Sequence, residues 1–206
     1  PRAKKLISAI HGLNPPGGFP SETVQFSFPY RIVVAALHRK ENVMKSDLEK
    51  AKQETRDAFK NRGILYRLFF EEISKEFGEE KAAAVMKKAI YRWGSAKSNR
   101  YQPLVKKKDF KGISDEFLRT SVCNGEVFKP SVHSVEKRST VIDMAGCPLV
   151  EAWREMGLSE KEVAGMCEIA NATDYGKYEG MGLKLTIEST LAKGDERCRL
   201  RVEEKG

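Results

Sequence analysis

The 206-residue sequence contains 40% hydrophobic and 32% charged residues, and its formal net charge is +8. This content is enough for one well-cored domain, and no apolar run approaches the roughly 18 residues that a membrane helix needs. The excess of Lys and Arg permits attraction to nucleic acid, an anionic membrane or a small anion, and it selects none of these partners. Because no segment near the start resembles a signal peptide, we expect a soluble, cytoplasmic protein that does not enter a membrane.

Residues 1–45 are predicted to form an N-terminal arm that ends in a short apolar element, and residues 46–206 are predicted to form a single α+β domain. Six prolines and glycines between positions 15 and 29 interrupt any regular element in the arm. Phe26 and Phe28 lie in this stretch and would attach the arm to another surface. The apolar stretch 31–40 fits a helix and a buried strand equally well.

The first part of the domain is predicted to be helical. Ser46 and Glu49 have the spacing of a capping box, which predicts a helix that begins at Ser46. Gly63 is expected to break or bend the chain. Apolar residues recur at helical spacing on both sides of Gly78, across residues 64–93. We therefore expect two amphipathic helices that are joined at this glycine and pack as neighbours.

A loop, a helix and two strands are predicted to follow. Residues 95–111 are polar and predict the loop, and the apolar positions in 113–125 predict the helix. Apolar and polar residues then alternate in 132–135 and in 140–144, on either side of a polar centre. This period of two predicts a pair of strands.

Two more helices are predicted after these strands. Pro148 suits the first turn of one helix, which Gly157 would end. Ser159 and Glu162 have the spacing of a second capping box and predict the start of the other. The apolar stripe of this second helix includes Cys167, so its thiol is expected to face the protein interior.

The C-terminal segment alternates more strictly than any other part of the chain. Apolar side chains dominate every second position in 183–191 and in 198–202, and Gly194-Asp195 supplies a turn between them. Cys198 shares its face with the apolar residues, so we expect its side chain in the core. Since helices come first and strands follow, the element order favours an α+β fold with helices packed on one antiparallel sheet.

Three different sequence elements in the C-terminal half contain a cysteine. The first is Cys147-Pro148-Leu149, the second is Cys167 one helix later, and the third runs from Thr190 through Gly194-Asp195 to Cys198. In this order and spacing they resemble the L-2-amino-thiazoline-4-carboxylic acid hydrolase family, over about residues 60–204. The resemblance implies hydrolysis of a C–N bond in a small cyclic amidine or amide carboxylate.

The closing Gly-Asp-x-x-Cys is also similar to the end of 4-vinyl-reductase-type domains and of trafficking-particle subunits. Those proteins combine helices with an antiparallel sheet, are often dimeric and enclose an apolar ligand pocket. The similarity therefore implies a homodimer with a small-molecule ligand. Some of those sensor domains bind zinc through a Glu and two Cys, whereas the matching positions here are Ile187, Thr190 and Cys198. Because Ile and Thr are not zinc ligands, we expect no metal there, and the sequence identifies no cofactor.

The family's reaction adds water at a ring carbon between nitrogen and sulfur. It needs a nucleophile, which is either a thiolate or an activated water, an acid for the departing nitrogen, and cations for the carboxylate. Cys147 and Cys167 are the candidate thiols. Cys147 precedes the helix that begins at Pro148, and a helix N-terminus is expected to lower the thiol pKa. The alternatives are a buried strand-end thiol for Cys147 and core packing for Cys167.

Five other side chains are candidates for the same site. Asp174 or His133 would transfer protons, and Tyr175, Arg197 and Arg199 would contact the substrate. Asp174 and Tyr175 follow the second cysteine by one or two helical turns, and a surface or capping role is the alternative for both. His133 also fits an ordinary surface position, and the outward phase of Arg197 and Arg199 favours solvent exposure.

Two further classes of function stay open. The first is a non-catalytic, sensor-like domain that binds a small molecule in an apolar pocket, because a shared fold does not fix a reaction. The second is nucleic-acid binding through the basic segment 87–111. That segment contains no recognised nucleic-acid motif, so we interpret it as a solvated helix face and loop and expect no nucleic-acid partner.

Overall fold

The computed structural model describes the backbone of residues 28–205 and the side chains of residues 43–205. The proline-rich part of the predicted arm therefore lies outside the described residues. The chain divides into two compact units, residues 1–45 and 46–206. The account below concerns the second unit, apart from the bounds of the first helix.

Two helices, joined at a glycine, open the described chain. Helix α1 spans Phe28–Phe77 and α2 spans Glu79–Ser95. Gly78 lies between them with a φ of 81°, a left-handed conformation that glycine adopts without strain. The predicted junction at Gly78 is confirmed.

The predicted start of a helix at Ser46 is wrong, because Ser46 lies within α1. The predicted break at Gly63 is wrong as well. Its carbonyl oxygen accepts a hydrogen bond of 2.7 Å from Trp153 Nε1. A Cβ atom at this position would approach the Leu149 Cα atom to 3.2 Å. Gly63 therefore permits close packing of a continuous helix.

The segment predicted as a polar loop contains short helices. A 3₁₀ turn spans Ser98–Tyr101, α3 spans Gln102–Lys106 and α4 spans Phe110–Arg119. The side chain of Asp109 caps α4 by accepting a hydrogen bond of 2.7 Å from the Gly112 amide. The buried aromatic residues Tyr101 and Phe110 hold this region against the core, which the polar composition of the segment concealed.

The predicted helix after this segment is shorter than expected. Helix α4 ends at Arg119, and a 3₁₀ turn spans Val122–Gly125. Within that turn, Cys123 and Asn124 have φ values of 50° and 53°, which lie in the left-handed region and cannot continue a helix.

Four strands form one antiparallel sheet in the order β1-β2-β4-β3. Their bounds are β1 Pro130–Val135, β2 Ser139–Met144, β3 Leu183–Ser189 and β4 Cys198–Glu204. The predicted pairing of the first two strands and the predicted C-terminal hairpin are both confirmed. Strand β3 ends at Ser189, earlier than predicted, because the chain forms a 3₁₀ turn at Leu191–Lys193.

Three helices connect β2 to β3. Helix α5 spans Pro148–Glu155, α6 spans Glu160–Ala170 and α7 spans Ala172–Glu179. At the start of α6, Ser159 and Glu162 form both hydrogen bonds of the predicted capping box. Together with the sheet, these helices confirm the predicted α+β fold.

The interior consists of two apolar clusters. One lies among α2, α5 and α6 and includes Trp153 and Met166. The other covers the inner face of the sheet and includes Tyr178, Leu200 and Cys198. The predicted burial of Cys198 is confirmed. None of the helices in the described part of the chain combines the length and the apolar character that crossing a bilayer requires.

Candidate functional site

A cavity of about 520 Å³ lies among the helices and the first residue of β4. Its volume is in the range of small-molecule sites in proteins. Much of its wall is aromatic. The aromatic lining residues are Phe59, Tyr66, Trp93, Tyr101, Phe117, Phe128 and Trp153.

Three of the four cysteines line this cavity. Cys147 is the N-cap residue of α5, Cys167 lies on α6 and Cys198 begins β4. Three elements that are distant in sequence therefore bring their thiols to one space. Cys123 is not among the lining residues. The convergence of the three thiols is what the hydrolase hypothesis requires of the fold.

Both candidate nucleophiles are weak acids in this setting. Burial raises the pKa of the Cys147 thiol to about 11. The backbone amides of Val150 and Leu149 at the start of α5 oppose this rise, but their effect is smaller. Burial also raises the pKa of Cys167, to about 12, and the neighbouring thiols add to the rise. The predicted lowering of the Cys147 pKa is therefore wrong, because desolvation outweighs the helix N-terminus.

Asp174 projects from α7 into the same cavity. It keeps partial exposure, but the surrounding protein excludes most water. This burial raises its pKa, and the positive charges of Lys177 and Lys97 act in the opposite direction. The structure thus brings Asp174 together with Cys147 and Cys167, and burial raises the affinity of the carboxyl group for a proton.

Lys177, one turn after Asp174 on α7, also lines the cavity and was not predicted. Only 8% of the residue is exposed. Its Nζ atom lies over the rings of Phe117, Tyr178 and Tyr101, at 4.1, 4.6 and 5.0 Å from the ring centroids. Burial lowers the pKa of Lys177 to about 8, despite the opposing charge of Asp174.

Three more cationic side chains line the cavity: Arg62, Lys97 and Arg100. Arg62 lies over a phenylalanine ring at 4.6 Å, and Lys97 lies over a tryptophan ring at 4.7 Å. Across residues 43–205, neither these three cations nor Lys177 has a carboxylate oxygen within 4.0 Å. With Asp174 as the acidic lining residue, the cavity carries excess positive charge.

Part of this charge comes from a segment that was interpreted as solvated. Lys97 and Arg100 belong to the basic segment 87–111, and both line the cavity, Lys97 half-buried and Arg100 exposed at its edge. Burial lowers the pKa of Lys97. A helical period in the sequence could have suggested this orientation, because Trp93, Lys97 and Arg100 recur at spacings of four and three residues.

Three predicted site residues lie elsewhere, around Asp143 of β2. Arg199 donates hydrogen bonds of 2.8 and 2.9 Å to its carboxylate, and Arg197 and His133 lie 3.4 and 3.5 Å from it. The hydrogen bond from Arg199 is the main reason that the pKa of Asp143 is lowered. None of the three lines the larger cavity.

The pleat of the sheet explains this separation. Arg199 is adjacent in sequence to Cys198, so the two side chains leave β4 on opposite faces. The predicted substrate contacts of Arg197 and Arg199, and the predicted proton transfer by His133, therefore do not fit a site that contains Cys147.

Tyr175 lines a second, smaller cavity of about 280 Å³, together with Glu168 and Thr190. Cys167 and Asn171 line both cavities. The Cys167 thiol donates a hydrogen bond of 3.7 Å to the Asn171 side chain. Tyr175 is thus next to the predicted site but not in its larger cavity. Among the described residues, no group of three His, Cys, Asp or Glu side chains is arranged to hold a metal ion.

The solved structures that are similar to this chain include two proteins with bound ligands. One is the phenol-responsive sensory domain of the transcription activator PoxR with phenol, at 14% identity and a TM-score of 0.51, covering 71% of this chain and 74% of that chain. The other is a trafficking protein particle complex subunit 3 from Naegleria fowleri covalently bound to palmitic acid. Its identity is 15%, its TM-score is 0.42, and the match covers 72% of this chain and 96% of that chain. The first match shows a shared fold.

At the level of sequence, no curated protein matches the chain. A family model described as L-2-amino-thiazoline-4-carboxylic acid hydrolase matches residues 56–202. The matched region is more than half of the chain and includes the three cavity thiols, Asp174 and Lys177. The chain therefore belongs to the L-2-amino-thiazoline-4-carboxylic acid hydrolase family.

Proposed function

We propose that this protein hydrolyses a C–N bond in a small cyclic amidine or amide that carries a carboxylate, and that the reaction takes place in the 520 Å³ cavity. One observation supports this proposal most directly. Among the residues with described side chains, the cavity places several cations that have no carboxylate partner beside one carboxyl group, Asp174, whose pKa is raised by burial. Such a site suits an anionic substrate and a proton-transfer step.

The cations Arg62, Arg100 and Lys97 would bind the substrate carboxylate. Arginine presents a planar fork of donors that matches a carboxylate. The rest of a small ring would then contact the aromatic wall. The cavity therefore offers charge complementarity for one end of such a substrate and apolar contact for the other.

Asp174 would carry the proton in the reaction. Its carboxylate takes a proton from water as the water oxygen bonds to the ring carbon, and the proton passes to the ring nitrogen as the C=N bond becomes a single bond. The C–N bond then breaks as the new hydroxyl becomes a carbonyl group, and Asp174 carries the hydroxyl proton to the departing nitrogen. A carboxyl group with a raised pKa suits both steps, because proton transfer is most efficient when the pKa lies near the working pH.

Water is the proposed nucleophile because the thiols are neutral. A thiol with a pKa of about 11, as for Cys147, holds roughly one part in 10⁴ as thiolate at pH 7. The fraction for Cys167 is lower still. In this scheme, Cys147 and Cys167 shape the cavity wall. Covalent catalysis by either thiol is the alternative mechanism.

Turnover of L-2-amino-thiazoline-4-carboxylate and related cyclic amidines, followed by mass spectrometry of products, tests the proposal. We expect Asp174→Asn to lower kcat by about 10²–10⁴, the usual contribution of general acid–base catalysis. Cys147→Ser and Cys167→Ser should retain activity. Full activity of Asp174→Asn would overturn the proposed proton transfer, and a covalent adduct at either cysteine would establish the thiol mechanism instead.

A non-catalytic binding domain is the second candidate function. The aromatic wall favours it, as does the shared fold with a sensory domain crystallised with phenol. In that case, the purified protein would turn over no cyclic amidine, and a small aromatic molecule would be released on denaturation. Isothermal calorimetry with phenols and with aryl carboxylates would then separate an apolar ligand from an anionic one.

We also infer that the protein forms a homodimer through the exposed apolar surface of α1 and α2. Phe69, Phe77 and Val85 are 56%, 62% and 58% exposed on these helices. Large exposed apolar residues in neighbouring elements are typical of interaction surfaces. Light scattering should show a dimer for the wild type and a monomer for Phe69→Glu. A monomeric wild type would contradict this inference.

A further inference from the structure

Lys177 is a buried amine that the proposed hydrolysis does not use. A lysine is rarely buried to this extent without an anionic partner. In the part of the chain with described side chains, no carboxylate oxygen lies within 4.0 Å of its Nζ atom. The contacts of this atom are three ring faces and the Tyr178 hydroxyl at 3.4 Å. Its environment therefore leaves the amine facing a cavity that is large enough for a small molecule.

We propose that Lys177 forms a covalent imine with a small 2-oxo acid that binds in this cavity. The proposal assigns the cavity a carbonyl ligand in addition to the proposed hydrolysis. It uses the same space but does not depend on any turnover of a cyclic amidine.

The step balances without an oxidant or a reductant. The lone pair of the neutral Lys177 amine bonds to the carbonyl carbon, and a proton moves from nitrogen to oxygen to give a carbinolamine. Protonated Asp174 then gives its proton to the carbinolamine hydroxyl, which leaves as water. The products are a protonated imine on Lys177 and the Asp174 carboxylate, so a positive and a negative group remain side by side.

The lining residues favour a 2-oxo acid over other carbonyl compounds. Arg62 and Arg100 supply donors for a carboxylate, and no carboxylate of the residues 43–205 occupies them within 4.0 Å. The aromatic wall favours an apolar or aromatic group next to the carbonyl. A simple aldehyde would lack the ionic contact and should bind more weakly.

The amine reaches its reactive form near neutral pH. An imine forms only from the neutral amine, and burial lowers the pKa of Lys177 to about 8. The amine fraction therefore rises about tenfold between pH 7 and pH 9. The charged and titratable groups that face this amine are Asp174, Lys97, Arg100, Tyr101 and Tyr178.

Reductive trapping on the intact protein tests the proposal. The protein is incubated with phenylpyruvate or pyruvate and sodium cyanoborohydride, and the modified lysine is identified by peptide mapping. We expect one reduced adduct, at Lys177, that forms faster than any adduct at a surface lysine. Lys111, which is on the surface and paired with Asp115, serves as the internal reference for non-specific modification.

Three variants then test separately the amine, the general acid and the carboxylate-binding arginine in imine formation. Lys177→Arg keeps the positive charge and removes the nucleophile, so trapping at this position should disappear. Asp174→Asn should slow trapping by about 10² or more, because general acid catalysis is lost. Arg62→Gln should raise the concentration of phenylpyruvate needed for half-maximal trapping and should leave the weaker trapping of benzaldehyde unchanged. Circular dichroism establishes that each variant is folded.

The wild-type protein alone can overturn the proposal. An adduct distribution that follows surface exposure, with Lys177 modified no faster than Lys111, would contradict it even if the variants did not fold. Since trapping requires no turnover, it reports on the imine independently of the hydrolysis assay. An imine without hydrolysis, or hydrolysis without an imine, would therefore disprove only one of the two proposals.

Discussion

Lys177 carries an energetic penalty that depends on pH. Its pKa falls from 10.5 to about 8 because burial disfavours the ammonium form. Between these two values, the unfolded chain holds a proton that the folded protein has released. The unfolded state therefore binds more protons, so the free energy of unfolding should rise with pH in this window by about 3 kcal/mol.

Urea unfolding at several values between pH 7 and pH 10.5 measures this contribution. Other lysines and the tyrosines also titrate in this range, so the relevant quantity is the difference between wild type and Lys177→Met. This difference should change steadily in favour of the wild type from about pH 8 upward. The same difference at every pH would show that the folded protein does not perturb the Lys177 pKa.

The cysteines should differ in reactivity with iodoacetamide. Burial raises the pKa of Cys147, Cys167 and Cys198, and only the thiolate reacts. Cys123 is half-buried in a 3₁₀ turn and is not among the residues that line the cavity. Quantitative peptide mapping at pH 7.5 should therefore show alkylation of Cys123 at least about 10-fold faster than that of the other three.

The control for this prediction is the unfolded chain. In urea, all four cysteines should react at similar rates, because burial is lost. Rapid alkylation of Cys147 in the folded protein would mean that the start of α5 does activate this thiol. It would also make covalent catalysis the preferred mechanism.

The sequence indicated the thiols and the carboxyl group that line the cavity better than the cations. Cys147 and Cys167 belong to spaced motifs, and Asp174 follows Cys167 by about two helical turns, so all three could be proposed. Lys177 and Arg62 belong to no motif, and lysine and arginine on a helix usually face solvent. Lys177 is buried and Arg62 is exposed at the cavity wall. Their positions follow from tertiary packing, which places α7 and α1 against the same cavity and which a local pattern does not encode.

The two Ser-x-x-Glu motifs show why a local signal is not sufficient at the level of an element. Around Ser159, the preceding Gly157 breaks the chain, so the capping side chain satisfies amides that have no other partner. Around Ser46, the backbone is helical on both sides, so those amides already have partners. The same four-residue pattern therefore caps a helix only when the chain before it is not helical.

Alanine substitution at each serine should separate the two motifs. Ser159→Ala should lower the free energy of unfolding by about 1 kcal/mol, because it removes the cap of α6. Ser46→Ala should raise the free energy of unfolding slightly, by about 0.5 kcal/mol or less, because alanine is the better helix former. Urea denaturation measures both changes. A loss at Ser46 as large as at Ser159 would contradict a continuous α1.

The contact between α2 and α7 depends on two glycines. A Cβ atom on Gly94 would lie 2.0 Å from the Thr173 carbonyl oxygen, and one on Gly176 would lie 2.1 Å from the Tyr91 carbonyl oxygen. Backbone therefore packs directly on backbone at this helix crossing. Because α7 also carries Asp174 and Lys177, this contact sets the position of both groups in the cavity.

Gly94→Ala should lower the free energy of unfolding by about 3 kcal/mol or more, because the methyl group would overlap backbone atoms. The matched control is Gly165→Ala on α6, where a Cβ atom would meet nothing within 4 Å. That change should stabilise the protein by about 0.5–1 kcal/mol, since alanine restricts the unfolded chain. Equal effects of the two substitutions in urea unfolding would contradict the close approach of α2 and α7.

At the scale of the whole molecule, the cavity lies where the two apolar clusters meet. Trp153 and Cys167 belong to the cluster around α5 and α6, and Tyr101 and Cys198 belong to the cluster on the sheet. All four line the cavity. A ligand that fills this space would therefore contact both clusters at once, so binding should stabilise the domain as a unit rather than one of its halves.

An aryl carboxylate such as phenylacetate should consequently raise the Tm of a single unfolding transition. At a ligand concentration 100 times Kd, the added stability is about 2.7 kcal/mol, which corresponds to a rise of about 5–10 °C for a domain of this size. Benzyl alcohol has a similar shape without the charge, so it should give a smaller rise at the same concentration. Arg62→Gln should reduce the difference between the two ligands, because the carboxylate would lose one of its ionic partners. If the neutral ligand stabilised the wild type as strongly as the anion, the cations would not select the ligand, and the apolar binding domain would become the better account of this cavity.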